Sequence, residues 1–362
     1  MSWMVPKRML DREQLQAINL SLKAKNCFIK GEPGTGKSIV LAHSAISHAM
    51  GGKRICVLTY TNALVSCLVE GLNNPSIPVM TFTRFSRERK ADKYDVLFID
   101  ESQDLKQADV NVIKQRGNKF VLFGDFAQSL YGNCVSEGDL REQFDIRKEN
   151  EFLLQMDYRL PRNIRELVQA IYCDRKFGAK AWRLMANAQI PLYHARDWDE
   201  EMKFVIEKAK NHAVVRRPVA ILFESKRSIF HFLHTLLGHQ GKQTIDIETV
   251  NEELEKQGLP FRFFGNGIGT LEEGDKRPLS YIMTWHSSKG LDFDTVILPN
   301  ISQSQCRCNP FYVALTRARR NLVLTYSGRQ NDQIEKARGC RCVCPIAADN
   351  SRNNEPTQGT LF

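Results

Sequence analysis

The stretch at residues 26–38, NCFIKGEPGTGKS, constrains the fold of this chain more than any other part of the sequence. Its apolar start predicts a buried strand, its glycines predict a tight loop, and the apolar-periodic residues after Ser38 predict a helix. In such a strand, loop and helix, backbone N–H groups and the helix N-terminus point at one place and attract an anion. The spacing GxxxxGKS therefore indicates a loop that holds the phosphates of a nucleotide.

Each residue type in this loop has a chemical role. Glycines let the backbone bend around the β- and γ-phosphates, Lys37 neutralises their oxygens, and the Ser38 hydroxyl ligates Mg²⁺. The predicted nucleotide-binding residues of the loop are Gly31, Gly34, Thr35, Gly36, Lys37 and Ser38. The alternative is a glycine-rich turn that holds no ligand. The register of the motif and its flanks favour the nucleotide, so we expect ATP and Mg²⁺ as cofactors.

A second, acidic pattern follows at residues 94–105, YDVLFIDESQDL. Its apolar run predicts a buried parallel strand that ends at Asp100 and Glu101. In proteins with a phosphate loop of this kind, the acidic residue at this strand end binds Mg²⁺, and an adjacent glutamate orients and deprotonates the attacking water. Another predicted strand, at residues 119–125, ends shortly before Gln128. Strands that alternate with helices at this rhythm predict an α/β fold with a parallel sheet covered on both faces.

Length and composition set wider limits. The 362 residues suffice for two domains, and the contents of 42% hydrophobic and 25% charged residues are those of a globular protein. The net charge of +10 is compatible with a polyanionic partner, although many charges only solvate a surface. We find no apolar run long enough for a signal peptide or a membrane span. We therefore expect a soluble, intracellular protein.

Ordered motifs over residues 10–327 carry a resemblance to a known family. They are GEPGTGKS, VLTYTNAL, TFTRF, VLFIDESQDL, VLFGDFAQSLYG, LLQMDYRLPRNI, TWHSSKGLDFDTVILP and FYVALTRARRNLVL. In this order they resemble the helicase motifs of superfamily 1, in its UvrD/Rep-like branch. The resemblance implies two RecA-like P-loop NTPase domains, each with a parallel sheet between helices. We expect the first domain at residues 1–145, the second at 146–330, and a cysteine-containing, disordered tail at 331–362.

The resemblance also implies roles for single residues around the nucleotide. Gln14 would read the edge of adenine, and the ring of Tyr158 would stack on its face, because a flat ring supplies contact area without demanding hydrogen bonds. Gln128 would sense the γ-phosphate and the attacking water. Asp292 would reach the ribose or lie at the interface between the domains.

Two further residues, Arg159 and Arg317, resemble the guanidinium groups that reach the γ-phosphate from the second domain. An arginine supplied across a cleft stabilises charge in the transition state only when the cleft is closed, so hydrolysis would be coupled to closure. The alternative for Arg317 is one of several helix-surface arginines, with Arg319 and Arg320. The predicted catalytic residues are Lys37, Glu101, Gln128, Arg159 and Arg317, with Ser38 and Asp100 as ligands of Mg²⁺.

Family positions that touch single-stranded DNA fall at the ends of predicted strands. They are Tyr60, Asn62, Thr81, Thr83, Thr284 and His286. An aromatic ring stacks on a base of any sequence, and hydroxyl groups bond phosphates without reading bases, so binding should depend on salt and ignore sequence. The alternative for His286 is a core histidine at a strand end. These contacts are compatible with RNA as well as with single-stranded DNA.

Three departures from the family pattern bear on activity. Asn133 and Cys134 stand where the family usually carries a tryptophan and an arginine, which removes a base-stacking ring and a γ-phosphate contact. Residues 86–93 leave no room for one accessory domain of larger relatives, and residues 161–280 leave little for the other. Such insertions usually grip the duplex or regulate unwinding, so the sequence favours a motor over a strand separator.

We therefore expect an ATP hydrolase that acts as a single-stranded DNA translocase or helicase, moving from 3′ to 5′, in repair, replication or phage defence. The alternative is a nucleotide-gated DNA-binding module, such as a partner subunit of a nuclease, that opens little duplex. A P-loop kinase of small molecules is disfavoured because it would not explain Arg159, Arg317 and a second sheet. The family is mostly bacterial and phage-borne, so we expect the cytoplasm, in association with the nucleoid.

The end of the chain carries two further features. One is a group of closely spaced cysteines, Cys306, Cys308, Cys340, Cys342 and Cys344. Their spacing differs from that of a zinc knuckle, so free thiols are the expectation and a metal site is the alternative. The other feature resembles the peptide by which bacterial replication and repair proteins dock on the sliding clamp, with Gln358, Leu361 and Phe362 as its anchors. The alternative is an end without a role, because Gly359 replaces the usual leucine.

Overall fold

The computed structural model describes residues 4–88, 93–126, 133–158, 160–172, 180–181, 189–238, 245–265, 267–271, 274, 276–303 and 308–347. Two compact units divide the chain. The first contains Met1–Leu160 and Phe177–Leu184, and the second contains Pro161–Lys176 and Met185–Phe362. In the described part, no helix has the length and apolar character needed to cross a bilayer.

The first unit is built on a parallel sheet with helices in its connections. Its helices are α1 (Arg12–Lys23), α2 (Lys37–Met50), α3 (Asn62–Leu72), α4 (Phe82–Arg87), α5 (Gln107–Arg116) and α6 (Glu137–Gln143). The strands of the sheet are β1 (Cys27–Gly31), β2 (Ile55–Thr59), β3 (Val79–Thr81), β4 (Tyr94–Ile99), β5 (Gly117–Gly124) and β6 (Glu151–Leu154). They pair in the order β3-β2-β4-β5-β1-β6, and each of these pairings is parallel. A short parallel pair, β7 (Met156–Asp157) and β8 (Lys180–Ala181), also belongs to this unit.

Helices cover both faces of this first sheet. Successive strand residues point to opposite faces, so Ile29 and Phe98 lie on one side and Phe28 and Leu97 on the other. The first side packs against apolar residues of α1, α2 and α3, and the second side against those of α4, α5 and α6. Burial on both faces explains why the strand sequences are almost continuously apolar. The predicted parallel sheet between two layers of helices is confirmed.

The second unit repeats this architecture with a different order of strands. Its helices are α7 (Arg162–Ile171), α8 (Trp198–His212), α9 (Lys226–Leu237), α10 (Val250–Lys256), α11 (Cys308–Leu315) and α12 (Asp332–Arg338). Its strands are β9 (Ile190–Ala195), β10 (Val219–Phe223), β11 (Phe261–Phe263), β12 (Ser280–Thr284), β13 (Phe293–Leu298), β14 (Ala318–Ser327) and β15 (Val343–Ala347). They pair in parallel in the order β11-β12-β10-β13-β14-β9-β15. One face packs against α8, α9 and α10. The predicted fold class, two α/β units that are each built on a parallel sheet, is confirmed; that these units are RecA-like remains a prediction from the family resemblance.

The division between the units lies later in the chain than the predicted boundary at residues 145 and 146. That boundary would place β6 in the second unit, but β6 pairs with β1 of the first sheet. The units divide between Leu160 and Pro161. An apolar run shows that a strand is buried but not which strand it pairs with, so the sequence alone misplaced β6.

The predicted disordered tail at residues 331–362 contains regular structure in its first half. α12 lies in this range, and β15 pairs with β9 as an edge strand of the second sheet. Pro345 makes the β15 sequence a poor match to a strand pattern, although an edge strand tolerates proline because one side of it needs no donor. Residues 348–362 lie outside the described part of the chain.

Candidate nucleotide-binding and nucleic-acid-binding site

The predicted phosphate loop joins β1 to α2 and is held in shape by its own groups. Gly34 and Gly36 have left-handed φ angles of 86° and 82°, which glycine adopts without strain. The Thr35 hydroxyl donates to the Glu32 carbonyl over 2.8 Å. The Lys37 ammonium donates to two carbonyls of the loop over 2.6 and 3.1 Å. It is therefore fixed beside the loop at the N-terminus of α2, where an anion is favoured.

Two residues predicted to hold adenine border this loop. Gln14 is buried in the first turn of α1, and a Cβ atom added to Gly36 would lie 2.5 Å from its Nε2. The backbone N–H of Tyr158 donates to the Gly34 carbonyl over 3.0 Å. The first unit thus brings Gln14, Tyr158 and the phosphate loop together. Glycine is required at position 36 for this approach as well as for its φ angle.

Glu13 joins the same region, although the sequence gives no sign of it beyond its place beside Gln14. Its Oε2 accepts hydrogen bonds from the backbone N–H groups of Gln155 and Met156 over 2.9 and 3.2 Å. These bonds connect the first turn of α1 to the segment that leads to Tyr158. Glu13 therefore helps to place the predicted adenine ring contact.

The two predicted acidic residues lie at the carboxyl end of β4, as the sequence indicated. Asp100 is 3% exposed and Glu101 is 8% exposed. Glu101 has a left-handed φ of 53°, which is uncommon for a residue with a side chain and is typical of functional sites. The backbone N–H of Asp100 donates to the Leu58 carbonyl over 2.9 Å, so the end of β4 is bonded to β2.

The oxygen atoms of Ser38 and Asp100 suit the predicted Mg²⁺. Mg²⁺ prefers hard oxygen ligands and usually binds through one or two protein oxygens together with phosphate and water. Ser38 lies in the first turn of α2, directly after the loop, and Asp100 follows β4 at the same edge of the sheet. The donor set therefore fits a magnesium ion that accompanies a nucleotide.

Gln103 is a buried polar residue between the ends of β4 and β5 that the site prediction did not include. Its Nε2 donates to Oε2 of Glu101 over 2.5 Å, and its Oε1 accepts from the backbone N–H of Asp125 over 3.1 Å. A Cβ atom added to Gly124 would lie 2.8 Å from the same Oε1. The letters DESQD contain the signal for this contact, but the direction of the side chain is visible only in the structure.

Two carboxylates contact Lys30 at the carboxyl end of β1, next to the phosphate loop. Lys30 donates to Glu137 over 3.0 Å and to Glu151 over 2.5 Å. Burial by itself would lower the pKa of Lys30, and the hydrogen bonds to the two carboxylates raise it above its ordinary value. Lys30 therefore stays charged and fastens α6 and β6 to the strand that precedes the phosphate loop.

In the second unit, Arg317 lies in the turn between α11 and β14 and is 2% exposed, so it is not on a helix surface. Its Nε donates to the Val313 carbonyl over 2.8 Å and one terminal nitrogen donates to the Leu291 carbonyl over 3.3 Å. Asp292 lies 4.0 Å from Arg317 and 3.5 Å from the exposed Arg319. The structure therefore brings Arg317 and Asp292 together, at the amino ends of β13 and β14.

The predicted nucleic-acid residues of the first unit lie at the carboxyl ends of β2 and β3. The ring of Tyr60 meets Phe82 edge-on, with centroids 6.1 Å apart. The Thr81 hydroxyl caps α4 by accepting from the Arg84 N–H over 3.2 Å. Asn62 and Thr83 are exposed at the starts of α3 and α4; their positions are thus those of surface contacts. All four predicted residues share one edge with the phosphate loop, because the sheet is parallel.

Thr284 and His286 follow β12 at the carboxyl edge of the second sheet. The backbone N–H of Trp285 donates to the Phe223 carbonyl over 2.8 Å, which extends the pairing of β12 with β10. The Thr284 hydroxyl accepts from the Ser287 N–H over 3.1 Å. The side chain of His286 is exposed, unlike that of a core histidine.

Several predicted residues lie outside the described part of the chain. They are Gln128, Arg159, Cys306, Gln358, Leu361 and Phe362. Of the C-terminal cysteines, Cys340 and Cys342 have sulfur atoms 2.9 Å apart and are not joined in a disulfide. Among the residues that the structure describes, no group of three or more His, Cys, Asp or Glu side chains is placed to hold a metal ion.

Two family models match parts of the chain. Residues 14–133 match an AAA domain, and residues 279–325 match a UvrD-like helicase C-terminal domain. The first match contains the phosphate loop, the acidic pair and the ends of β2 and β3. The second contains Thr284, His286, Asp292 and Arg317.

Curated relatives match at low identity. A probable DNA helicase II homolog of Mycoplasma pneumoniae is 27% identical over 176 residues, which are 42% of this chain and 25% of the relative. The ATP-dependent DNA helicase PcrA of Leuconostoc citreum is 24% identical, over 49% of this chain and 23% of the relative. The DNA replication ATP-dependent helicase/nuclease JHS1 of Arabidopsis thaliana is 23% identical, over 92% of this chain and 29% of the relative. The chain thus spans under a third of the length of these relatives.

Two solved helicase structures superpose on this chain in part. The PRRSV helicase superposes with a TM-score of 0.49 at 15% identity, over 88% of this chain and 56% of that one. An arterivirus nonstructural protein 10 helicase superposes with a TM-score of 0.47 at 15% identity, over 89% of this chain and 64% of that one.

Proposed function

We propose that this chain is a UvrD/Rep-like helicase that hydrolyses ATP to move along single-stranded DNA. The family was predicted from the order of the motifs, and it is supported by the AAA and UvrD-like models together with the helicase II and PcrA relatives. The relatives are longer proteins, so activity and substrate are argued here from the residues of this chain.

One observation carries the proposal: the predicted nucleotide residues and the predicted nucleic-acid residues of the first unit lie at the same carboxyl edge of its sheet. The phosphate loop follows β1, the acidic pair follows β4, and Tyr60 and Thr81 follow β2 and β3. Ligands of open parallel sheets bind at this edge. The bond from the Asp100 N–H to the Leu58 carbonyl gives a contact on β2 a short route to the acidic pair.

The hydrolysis step uses the groups at this edge in distinct roles. The loop N–H groups and Lys37 bind the β- and γ-phosphates, and Ser38 and Asp100 hold Mg²⁺, which neutralises phosphate charge when bound. Glu101 orients the attacking water and accepts its proton. The products are ADP, phosphate and one proton that leaves through the Glu101 carboxylate. We propose that Gln128, Arg159 and Arg317 add the stabilisation of transition-state charge that the family resemblance implies.

Gripping of the nucleic acid is assigned to both units. Tyr60 offers a ring for stacking, and Asn62, Thr81 and Thr83 offer polar groups for the phosphate backbone. Thr284 and His286 offer polar groups at the corresponding edge of the second sheet. We propose that alternate grip, driven by the hydrolysis cycle, moves the chain from 3′ to 5′ during repair, replication or phage defence.

The second candidate function is a nucleotide-gated DNA-binding module, such as a partner subunit of a nuclease, that opens little duplex. Asn133 and Cys134 favour it, because they replace a base-stacking ring and a γ-phosphate contact of the family. The two candidates share the nucleotide site and differ in whether turnover separates strands.

Turnover of ATP with and without single-stranded DNA tests the nucleotide site. The measurement compares the wild type with Lys37→Ala and Arg317→Ala. We expect DNA to stimulate the wild type and to have little effect on either variant. Equal activity in all three proteins would contradict the assignment.

A duplex with a single-stranded tail at either end separates the two candidates. Unwinding of only the substrate with a 3′ tail would support a 3′ to 5′ helicase. DNA-stimulated turnover without strand separation would favour the gated module or a translocase that does not unwind.

Docking on a sliding clamp through Gln358, Leu361 and Phe362 is a separate proposal. Removal of residues 358–362 should abolish capture of the chain on an immobilised clamp and leave ATP turnover unchanged. Capture that survives the deletion would show that this peptide is not the anchor.

A further inference from the structure

We infer that Gln103 is a positioning residue for hydrolysis, whose amide fixes the Glu101 carboxylate and ties it to the end of β5. The inference rests on the proposed function, in which Glu101 accepts the proton of the attacking water. It adds a residue that touches neither phosphate nor metal and acts through the base.

Both ends of the Gln103 amide are used. Its Nε2 donates to Oε2 of Glu101 over 2.5 Å, and its Oε1 accepts the backbone N–H of Asp125 over 3.1 Å. Gln103 is fully buried, so water does not compete for these contacts. A primary amide combines donor and acceptor in one planar group, which a carboxylate or an ammonium group does not. The chemistry of the position therefore requires an amide.

The backbone around Gln103 is shaped to deliver this amide. Glu101 has a left-handed φ of 53°, and residues Ser102–Asp104 form a turn of 3-10 helix directly after it. The turn brings the Gln103 side chain back to the carboxylate two residues earlier. On the other side, a Cβ at Gly124 would lie 2.8 Å from Oε1 of Gln103, so a side chain there would push the amide away.

The arrangement matters because a general base works only in the right place. A displacement of about 1 Å in a reacting group can cost about 100-fold in rate. Glu101 is held through its side chain by Gln103, and Gln103 is held by the strand end that leads toward Gln128. The amide thus connects the base to Asp125 at the end of β5.

A purely structural role for Gln103 makes a different prediction. If the amide only accepts the hydrogen bond of the Asp125 N–H, its removal would lower stability, and turnover would fall in proportion to the folded fraction. A positioning role lowers kcat of the folded protein and leaves the KM for ATP and the affinity for single-stranded DNA unchanged. The split between kcat and KM separates the two roles.

The first test is Gln103→Met, which keeps the length of the side chain and removes both polar contacts. We expect kcat to fall by about 10- to 100-fold, with KM for ATP and DNA affinity within about twofold of the wild type. The matched control is Gln143→Met, which removes hydrogen bonds to Gln107 far along the same unit and should leave kcat unchanged. A kcat equal to that of the wild type would overturn the inference.

Two further variants keep the test decisive. Gln103→Glu retains an acceptor for the Asp125 N–H but replaces the donor with a second carboxylate beside Glu101. Its kcat should therefore fall at least as far as that of Gln103→Met. Gln103→Asn keeps the amide on a side chain that is one methylene group shorter. If the Gln103→Met protein does not fold, the same fall in kcat is tested with Gln103→Asn. Wild-type kcat in Gln103→Glu would show that donation to Glu101 is not needed.

A double-mutant cycle tests the route of the effect. In a Glu101→Gln background the base is absent, so adding Gln103→Met should lower the remaining kcat by less than about twofold. Full additivity of the two losses would mean that Gln103 does not act through Glu101. Failure of the proposed function is distinguishable, because the wild type would then show no turnover dependent on Lys37.

Discussion

The two units use the same edge of the same kind of sheet in different ways. In the first unit, buried carboxylates at the carboxyl edge, Asp100 and Glu101, lie beside a phosphate loop. In the second unit, the buried carboxylate is Glu201 of α8, which accepts from the Asn300 N–H over 2.6 Å and from the hydroxyl groups of Thr325 and Ser327 over 2.6 and 2.8 Å. The first edge carries the predicted catalytic carboxylates, whereas at the second edge a carboxylate joins α8 to the ends of β13 and β14.

In the second unit, the predicted nucleotide residues and the predicted nucleic-acid residues lie at different ends of the strands. Arg317 and Asp292 are at the amino ends of β13 and β14, whereas Thr284 and His286 are at the carboxyl end of β12. The first unit has its predicted nucleotide and nucleic-acid residues at one edge, and the second unit has them on opposite edges.

The largest effect is expected at the acidic pair of the first unit. Glu101→Gln keeps the shape of the side chain but accepts no proton, so turnover should fall by about 10²- to 10⁴-fold while nucleotide binding persists. Turnover is measured by phosphate release and binding by a fluorescent ATP analogue. The control is Glu142→Gln on the exposed side of α6, which should match the wild type. Normal turnover in Glu101→Gln would show that Glu101 is not the general base.

Arg317→Lys tests the buried arginine of the second unit. Lysine keeps the charge but not the planar guanidinium fork with which Arg317 is proposed to stabilise transition-state charge, so we expect a loss of about 100-fold in turnover. Arg319→Lys, at an exposed position, is the control. If Arg317 only holds the turn before β14, thermal unfolding will shift and turnover of the folded fraction will not change.

Glu201 should matter for stability and not for turnover. Glu201→Leu removes the acceptor of two buried donors and of the partly buried Ser327 hydroxyl, and we expect a loss of about 3 kcal/mol in the free energy of unfolding, measured in urea. Glu201→Gln should cost less because one oxygen remains. Loss of kcat in the folded Glu201→Gln protein would contradict the structural role given to this edge.

The same residue gives a dependence on pH whose sign follows from its burial. Burial raises the pKa of Glu201 above 4.5, against the hydrogen bonds from Thr325, Asn300 and Ser327, which lower it. The folded state therefore binds the proton more tightly than the unfolded state. The stability that the proton contributes is present below pH 4.5 and is lost as the pH rises through the raised pKa. In Glu201→Gln, which has no titrating group at this position, this part of the fall in the free energy of unfolding with rising pH should be absent.

A smaller effect is expected at the nucleic-acid surface. Tyr60→Ala removes a stacking ring, and we expect a loss of about 1–3 kcal/mol in the affinity for single-stranded DNA, with unchanged turnover in the absence of DNA. Tyr60→Phe keeps the ring and its contact with Phe82, so it should bind nearly as well as the wild type. The measurement is fluorescence anisotropy with a labelled oligonucleotide at fixed salt. Equal affinity of the alanine variant would exclude stacking at this residue.

Much of the fold was predictable because its signals are local. The phosphate loop and the strands that end at Asp100 and Thr284 follow from spacing and apolar runs within a few residues. The site prediction placed Lys37, Gln14 and Tyr158 around one loop, and the structure brings these three residues together. Lys37 was predicted from the spacing of the loop, whereas Gln14 and Tyr158 were predicted from the resemblance to the helicase family.

The remaining features depend on partners that a local pattern does not show. β6 joins the first sheet through its pairing with β1, and β15 is accepted at a sheet edge in spite of Pro345. The roles of Glu13 and Gln103 depend on the direction of a side chain toward a distant backbone group. Arg317 was expected in contact with phosphate, and its hydrogen bonds to two carbonyls of its own unit were not visible from the sequence.

The central claim is that nucleotide and nucleic acid share the carboxyl edge of the first sheet and therefore influence each other. The most direct measurement is the affinity for single-stranded DNA with and without a non-hydrolysable ATP analogue, in the wild type and in Lys37→Ala. We predict a change of at least about fivefold in the wild type, because coupling between such sites is typically 1–3 kcal/mol, and no change in the variant. Equal DNA affinity of the wild type with and without the analogue would contradict the account.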